Sequence, residues 1–390
     1  MFEQAPAGKS TCMCARSRSL RDRIHDEIAE AGPMKFSRFM ELALYDSQEG
    51  YYASDRAKVG RDGDFFTNVS VGPVFGEILA GQFLEMWSIL GEPKEFTIVE
   101  QGANDGRLAR DVMDALSGTP LARAPWTFIE PLQCLQKKQK KLLSGANVSW
   151  ISSTDSLPPF CGIHFSNELF DALPVDILQA HGGLWRELLV KSEDDDFLFS
   201  PDQTLFSGTS LPPRPDGFLT ERRSGQNELL QKISSRMEKG FLLAIDYGMP
   251  GEDILAEHRS GGTLACYSKH RRDENPLERP GEKDITAHVD FSSLSRDACA
   301  VDLNLRGFTD QHHFLVGAAT RLLQSMDGKT PTPQTLKKLR SLRMLLHPET
   351  MGSQFKVILF SKGGAGDKLP SGFLHARNPE RLLENPATGF

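Results

Sequence analysis

Short hydrophobic runs alternate with amphipathic segments along most of the chain, and this alternation is the main signal for the fold. Runs rich in β-branched and aromatic residues predict strands at 96–99, 126–130, 148–151, 161–166 and 241–248. Segments with apolar residues three or four positions apart lie between several of them and predict helices. Strands that alternate with helices predict a parallel, doubly wound α/β sheet, which a last strand at 355–361 completes.

The turn at residues 100–106 is the most informative stretch of the chain. An acid, Glu100, precedes Gly102, Asn104 and Gly106 in the spacing E-x-G-x-N-x-G. A strand, a glycine loop and a helix form the first unit of a nucleotide-binding fold, in which the loop amides face the ligand. The spacing is not the G-x-G-x-x-G of dinucleotide folds, and an acid directly after the strand suits ribose hydroxyls or an α-amino group. We therefore expect a nucleoside ligand and disfavour an NAD-dependent dehydrogenase.

Polar side chains stand where the other predicted strands end. Ligands of parallel α/β sheets lie outside the carboxyl ends of the strands, so these side chains predict one shared site. They are Glu100, Glu130, Asp155, Asn167, Glu168 and Asp246.

The remaining segments predict additions to this sheet. Helical patterns and an aromatic turn at 45–52 predict a helical N-terminal cap over 20–94, and we assign the aromatic residues at 45–52 and 65–66 to its core. Alternating residues at 175–200 predict a β-meander. We expect a flexible N-terminus at 1–19, a main domain at 95–362 with insertions near 176–238 and 250–345, and a disordered Gly/Pro-rich tail at 363–390.

Composition and charge exclude several classes of function. The net charge of −7 and pI of about 5.9 argue against a nucleic-acid partner. No apolar run is long enough to cross a membrane, and six scattered cysteines predict reduced thiols and no metal site. Because no secretory h-region is visible, a bacterial cytoplasm is the expected location, and the Arg- and Ser-bearing first residues leave the mitochondrial matrix as the alternative.

Several strings of the sequence, taken in order, resemble the MidA family of class I S-adenosylmethionine-dependent methyltransferases. The resemblance runs from about residue 20 to 362. The strings lie at 39–46 with 50–52, 63–67, 100–106, 167–175, 246–248, 262–264 with Tyr267 and His270, 280–281 with 284–291, and 351–357.

The resemblance implies a Rossmann-like methyltransferase sheet with a reversed last strand, a helical N-terminal cap and an inserted smaller α+β lobe. It also implies S-adenosylmethionine as cofactor. Mitochondrial members of the family are complex I assembly factors that methylate an arginine of a complex I subunit. It thus implies a protein substrate, with a respiratory complex I-type subunit as the candidate, and leaves a homodimer open. Asn104 stands where the family usually carries glycine, and asparagine tolerates a positive φ better than other non-glycine residues.

The cofactor residues follow from the motif positions. Glu100, Gly102, Asn104 and Gly106 would surround the methionine part, and Glu130 would accept from both ribose hydroxyls. Asp155 would accept from the adenine amino group, although a Thr-Asp pair after a strand is as often a helix cap.

The acceptor residues follow from the turn after the fourth strand. Asn167 and Glu168 occupy the place of nucleophile-orienting residues in class I methyltransferases, and Glu168 and Asp171 suit a charged guanidinium. The alternative is that Asn167 and Asp171 cap the next helix. Asp64 and Thr67 predict a loop over the cofactor, and His288 a place near the substrate cleft, whereas a turn role for Asp64 and a structural role for His288 stay open.

Two functions remain at this stage. The first is a methyltransferase that acts on arginine of a protein. The second is a binding or assembly protein that keeps the fold and has lost turnover, an alternative raised by Asn104.

Overall fold

The computed structural model describes residues 18–54, 68–206, 211–268, 271–328, 330–347, 351–364 and 368–383. The helices in these ranges are α1 (Leu20–Ala31), α2 (Phe36–Tyr45), α3 (Val74–Ile89), α4 (Arg107–Ala115), α5 (Gln133–Leu142), α6 (Gln226–Arg236), α7 (Gly251–Ile254), α8 (Phe291–Ala300), α9 (Gln311–Ala318), α10 (Thr320–Met326), α11 (Pro333–Leu346) and α12 (Pro379–Leu383). The strands are β1 (Met34–Lys35), β2 (Thr97–Gln101), β3 (Trp126–Ile129), β4 (Val148–Ile151), β5 (Phe160–Asn167), β6 (Asp176–His181), β7 (Leu184–Glu193), β8 (Asp196–Phe206), β9 (Leu219–Arg222), β10 (Met237–Met249), β11 (Ala265–Ser268), β12 (Arg271–Asp273), β13 (Asp284–Thr286), β14 (Val289–Asp290), β15 (Asn304–Asp310) and β16 (Phe355–Lys362).

The main sheet has the strand order β15-β16-β10-β5-β2-β3-β4. Strands β10, β5, β2, β3 and β4 pair in parallel, whereas β16 runs antiparallel to both β10 and β15. The order changes direction at β2 and β5, so the carboxyl ends of these two strands form the switch point of the sheet. The α/β class predicted from the sequence, with one reversed strand, is therefore confirmed.

Helices cover both faces of this sheet, because its central strands are apolar on both sides. On one face, α3 and α4 pack over strand residues such as Phe128 and Phe165. On the other face, α6 and α8 pack through Leu230 and Phe291. The sheet is thus a rigid middle layer that fixes the strand ends on which a site can be built.

A smaller lobe stands beside the main sheet. Its sheet has the order β1-β7-β6-β9, and β8 also pairs with β7. A separate three-stranded antiparallel sheet contains β12, β11 and β13. Helices α1 and α2 pack on this lobe through buried residues such as Ile24 and Phe39. A capping box starts α1, since the Ser19 side chain accepts from the Asp22 amide and the Asp22 side chain accepts from the Ser19 amide.

The expected cap does not behave as one unit. Helix α3 packs in the core of the main domain, where Phe75 and Phe83 are fully buried, and α1 and α2 pack on the small lobe. The reason is that α3 is apolar nearly all round and so fills a layer, whereas α1 and α2 have a single apolar face.

Two other segments differ from the expectation. The supposed insertion at 250–345 contains α8 and β15, which belong to the main domain, because β15 pairs with β16. The supposed disordered tail contains a short 3-10 helix, Ser371–Phe373, and Phe373 is buried against Phe314 with the two ring centroids 5.5 Å apart. An aromatic anchor thus holds a Gly/Pro-rich segment in place.

No helix in the described part of the chain is both long and apolar enough to span a bilayer.

Candidate active site

The turn between β2 and α4 is built from left-handed backbone positions. Gly102 has φ +78°, Asn104 φ +48° and Gly106 φ +85°. A Cβ at Gly102 would lie 3.1 Å from Cδ1 of Leu169, so a glycine also serves the close approach of two turns there. Asparagine is among the few residues that adopt the left-handed region readily. The turn therefore accommodates Asn104 at the position of the usual glycine.

A cavity of about 650 Å³ opens at the carboxyl ends of the central strands. It is large enough for a nucleoside cofactor together with an acceptor side chain. The predicted residues that line it are Glu100, Gly102, Asn104, Glu130, Asn167, Glu168, Asp171 and His288.

Two buried acids stand on the cofactor side of the cavity. Burial raises the pKa of Glu100 to about 8 and that of Glu130 to about 7. One carboxylate oxygen of Glu130 accepts from the Leu132 amide at 3.0 Å, and the other accepts from Nε2 of Gln139 at 3.2 Å. Glu130 is thus held at the end of β3 with its carboxyl at the cavity, which suits an acceptor for two neighbouring hydroxyls.

Gln139 connects these parts and was not predicted as a functional residue. It is fully buried on α5, and its Nε2 also donates to the Asn104 carbonyl at 2.7 Å. Its Oε1 accepts from the Trp150 indole at 2.8 Å. One side chain therefore joins the glycine turn to the acid at the end of β3. The sequence signal was a polar residue four positions after Leu135, on the buried face of a helix.

The turn after β5 carries three of the predicted residues. Glu168 has φ +57°, and Nδ2 of Asn167 donates to its carboxylate at 2.8 Å. One carboxylate oxygen of Asp171 accepts from the Thr286 hydroxyl at 2.9 Å. Burial, and then repulsion from Asp171, raises the pKa of Glu168 to about 8, and burial also raises the pKa of Asp171. A cation in the cavity would lower the pKa of both carboxyls, since it favours their ionised form.

Two tyrosines, Tyr45 and Tyr52, form a wall of the cavity beside this turn. The Tyr45 hydroxyl donates to the Ala172 carbonyl at 2.9 Å, and the Tyr52 hydroxyl donates to Oδ1 of Asp284 at 3.0 Å. Their rings stack with centroids 5.5 Å apart. The sequence predicts only a place in the cap core for the aromatic cluster at 45–52, but Tyr45 and Tyr52 also line the cavity, together with Asp284. The sequence pattern around the tyrosines gives no sign of a place at the cavity, because Asp284, which completes the wall, lies on β13, far away in sequence.

His288 lines the cavity next to the turn at 167–171, which we call the acceptor turn. Burial lowers the pKa of its imidazole to about 4, so the ring is neutral at neutral pH. Its Nδ1 has no hydrogen-bond partner within the described ranges. A neutral imidazole in this place is able to accept a hydrogen bond from a ligand.

The structure does not place the other four predicted residues at the cavity. The structure contradicts the predicted adenine contact of Asp155, because its carboxylate points to solvent and pairs with Lys232 at 3.1 Å, and it does not line the cavity. Gly106 starts α4 and faces Gln139 rather than the cavity. Asp64 and Thr67 lie outside the described residues. No group of metal-ligating side chains is present in the part of the chain that the structure describes.

Comparison with known proteins identifies the class. A family model for S-adenosyl-L-methionine-dependent methyltransferases matches residues 78–309, which is more than half of the chain. A solved structure from Burkholderia thailandensis, bound to S-adenosyl-homocysteine, aligns with a TM-score of 0.83 at 28% identity and covers 93% of this chain and 96% of that one. A native structure from the same organism aligns with a TM-score of 0.79 at 26% identity.

Curated relatives agree with this match. The mitochondrial protein arginine methyltransferase NDUFAF7 homolog of Drosophila melanogaster is 28% identical over 383 residues, which covers 88% of this chain and 85% of the relative. The corresponding protein of Danio rerio is 26% identical and covers 87% of this chain and 86% of its own length. The chain belongs to the MidA family and is an S-adenosylmethionine-dependent methyltransferase.

The residues present fit the cofactor. Gly102 lines the cavity without a side chain, and Glu130 presents a fixed carboxyl at the place where ribose hydroxyls lie in nucleotide-binding sheets. Glu100 supplies an acid next to the glycine turn for an α-amino group. The prediction of S-adenosylmethionine as cofactor is confirmed by the family and by the relative bound to S-adenosyl-homocysteine.

Proposed function

We propose that the enzyme transfers a methyl group to a guanidino nitrogen of an arginine side chain in a protein substrate. The observation that carries this proposal is the charge of the cavity. Its described lining contains one guanidinium, that of Arg107, against seven carboxyl groups. The seven are Glu41, Glu100, Asp105, Glu130, Glu168, Asp171 and Asp284.

The position of these acids favours a cationic acceptor. Glu168, Asp171 and Asp284 lie close to one another, since both aspartates act on the Glu168 carboxyl, and Asp284 accepts from the Tyr52 hydroxyl. Guanidinium has a pKa of about 12.5–13.8 and arrives charged. Burial raises the pKa of Glu168 and Asp171, and a guanidinium would favour their ionised form, whereas a neutral hydroxyl or carbon acceptor would not. The names of the relatives, which are protein arginine methyltransferases, support the same acceptor.

Each residue then has a role. S-adenosylmethionine supplies an electrophilic methyl group on a sulfonium, which becomes a neutral thioether once the methyl is lost. The Glu168 and Asp171 carboxylates hold the guanidinium by charge-assisted hydrogen bonds and turn one nitrogen toward the methyl. As the new N–C bond forms, that nitrogen loses one proton, and Glu168 accepts it and later releases it to water. The tyrosine wall restricts water around the reacting atoms.

The test identifies the amino acid that becomes methylated. Purified enzyme is incubated with S-adenosylmethionine that carries an isotopically labelled methyl group, and with protein extract from source cells that lack the gene. The proteins are then hydrolysed and their amino acids separated. We expect the label in methylated arginine, and we expect Glu168→Gln to remove it while the affinity for S-adenosyl-homocysteine stays within about twofold. Label in a different amino acid, or full activity of Glu168→Gln, would refute the proposal.

Further parts of the proposal concern the methylated protein, the location of the enzyme and its assembly, and only the first of them rests on the family resemblance. They are a respiratory complex I-type subunit as the methylated protein, a bacterial cytoplasm or mitochondrial matrix as the location, and a homodimer as the assembly. Mass spectrometry of the labelled protein tests the first, and localisation of a tagged chain tests the second. Sedimentation tests the third, since a monomer at micromolar concentration would exclude a stable homodimer.

A further inference from the structure

The turn that carries Glu168 and Asp171 has an unfavourable backbone that its surroundings must hold. Glu168 is a non-glycine residue at φ +57°, in the left-handed region that a side chain of this kind adopts only under strain. Its amide donates to the Ile245 carbonyl at 2.9 Å, but the residues after it leave the strand. Such strain persists only where neighbouring groups over-determine the conformation.

Asp246 holds this turn from its amide side. Its carboxylate is fully buried in the last part of β10, one residue after Ile245, which pairs with Asn167 of β5. Oδ2 accepts from the amides of Leu169 at 3.1 Å, Phe170 at 2.7 Å and Asp171 at 3.4 Å. Oδ1 accepts from the Tyr247 amide at 2.9 Å. One carboxylate thus meets the three successive amides that follow Glu168.

Arg223 holds the same turn from its carbonyl side. It comes from the connection between β9, in the small lobe, and α6. Its Nε donates to the Phe170 carbonyl at 2.7 Å, one terminal nitrogen donates to the His288 carbonyl at 2.9 Å, and the other donates to the Ala287 carbonyl. All three partners are backbone carbonyls, so the guanidinium fork joins the acceptor turn to the segment that carries His288.

The two side chains also balance charge beneath the acceptor site. Arg223 makes no ion pair within 4 Å among the described residues, yet its charge acts on Asp171 and Asp246 through the protein interior. A buried cation without a direct partner is costly, and polar bonds to carbonyls together with nearby carboxylates offset that cost. A residue that served only to fill space would be apolar at this position.

We propose that Arg223 and Asp246 are positioning residues for the acceptor step. Together they hold the turn so that Glu168 and Asp171 face the acceptor, and Arg223 couples this alignment to the small lobe. The proposal rests on the proposed function only in taking Glu168 and Asp171 as the acceptor-binding groups.

The experiment compares Arg223→Met, Arg223→Lys and Asp246→Asn with Arg222→Met as the matched control. Arg222 is the neighbouring residue, but its side chain pairs with Asp176 at 3.2 Å in the small lobe. Affinity for S-adenosyl-homocysteine by calorimetry and the thermal unfolding midpoint verify that each variant folds. The initial rate of methyl transfer is then measured in the labelled-methyl assay, at saturating S-adenosylmethionine and over a range of pH.

We expect Arg223→Met and Asp246→Asn to lower the rate about 100-fold, the size of effect that a displacement of about 1 Å produces, with cofactor affinity within about twofold of wild type. Loss of the Arg223 charge raises the pKa of the Asp171 and Asp246 carboxyls, so the acidic limb of the pH profile moves to higher pH in Arg223→Met. Arg223→Lys keeps the charge without the fork. This variant should return the acidic limb of the pH profile to its wild-type position but restore only part of the rate.

A second readout needs no acceptor. The carboxyls of Asp171 and Asp246 are titrated by carbon-13 NMR in protein bound to S-adenosyl-homocysteine, and their apparent pKa values should rise in Arg223→Met and stay unchanged in Arg222→Met. If wild type methylates an amino acid other than arginine, the proposed function fails, and the titration still decides the role of Arg223. Unchanged carboxyl pKa values and a rate within threefold of wild type in Arg223→Met would overturn the inference. Parallel losses of cofactor affinity and rate would overturn it as well.

Discussion

Replacement of Gln139 by leucine should weaken cofactor binding, although this side chain does not itself line the cavity. Leucine is close in size, so the change removes hydrogen bonds and leaves the packing of α5 largely intact. Three bonds are lost, to the Asn104 carbonyl, the Glu130 carboxyl and the Trp150 indole. Of these partners, only Glu130 is deeply buried, at 4% exposure, so water replaces the lost bond least well there.

The magnitude follows from these partners. A buried group left unsatisfied costs about 1–3 kcal/mol, and more when the group is charged. We expect about 2–4 kcal/mol of destabilisation in total, because Asn104 and Trp150 are half-buried and regain part of their loss from water. Since both the turn and Glu130 lose a support, we expect the Kd for S-adenosyl-homocysteine to rise at least tenfold, which corresponds to about 1.4 kcal/mol.

The assay is calorimetric titration with S-adenosyl-homocysteine, next to urea unfolding of the same samples. Gln133→Leu is the matched control, because Gln133 lies on the same helix with an exposed side chain. The control should change neither quantity by more than about 0.5 kcal/mol. A Gln139→Leu variant that is destabilised but binds with wild-type affinity would show that Gln139 supports the fold only, and would refute the reasoning.

Three further changes test the site. Asn104→Gly should leave the Kd for S-adenosyl-homocysteine within about threefold, because asparagine already holds the left-handed conformation, and a gain of tenfold or more would show that its side chain crowds the cofactor. Asp155→Asn should not alter that Kd, whereas Glu130→Gln should raise it tenfold or more. A raised Kd in Asp155→Asn with an unchanged Kd in Glu130→Gln would restore Asp155 as a cofactor residue. Glu100→Gln should gain stability over wild type as the pH rises from about 5 to 8. Burial raises the Glu100 pKa from 4.5 to about 8, so the fold favours the protonated acid. Burial also raises the pKa of Glu130 and Glu168, so both proteins lose stability as the pH rises. Wild type loses up to about 1.4 kcal/mol per pH unit more than the glutamine variant across this window, and equal pH dependence in urea unfolding would contradict this sign.

The strand ends could be predicted from the sequence because the pattern there is local. Strands β2, β3 and β5 are apolar runs that stop at a polar residue, and Glu100, Glu130 and Asn167 accordingly meet at the cavity. The same rule failed for Asp155. Strand β4 is an edge strand of the sheet, two strands away from β2 at the switch point, and the turn after it faces Lys232 on the surface.

The other parts of the site could not be predicted, because they depend on contacts between residues distant in sequence. Arg223 reaches the acceptor turn across 53 residues, and Tyr52 reaches Asp284 across 232. Neither pair has a spacing that a sequence pattern detects. Strand β15 was missed for a related reason: its polar residues Asn304 and Arg306 mask an apolar face that becomes evident only beside β16.

A crystal structure of the enzyme with S-adenosyl-homocysteine and an arginine-containing peptide would test the central claim most directly. We predict ribose hydroxyls on Glu130, the methionine part along the turn of Gly102 and Asn104, and a guanidinium between the sulfur and the carboxyls of Glu168 and Asp171. A cofactor bound in this way with the guanidinium elsewhere would contradict the proposed acceptor. A ribose away from Glu130 would contradict the account of the site itself.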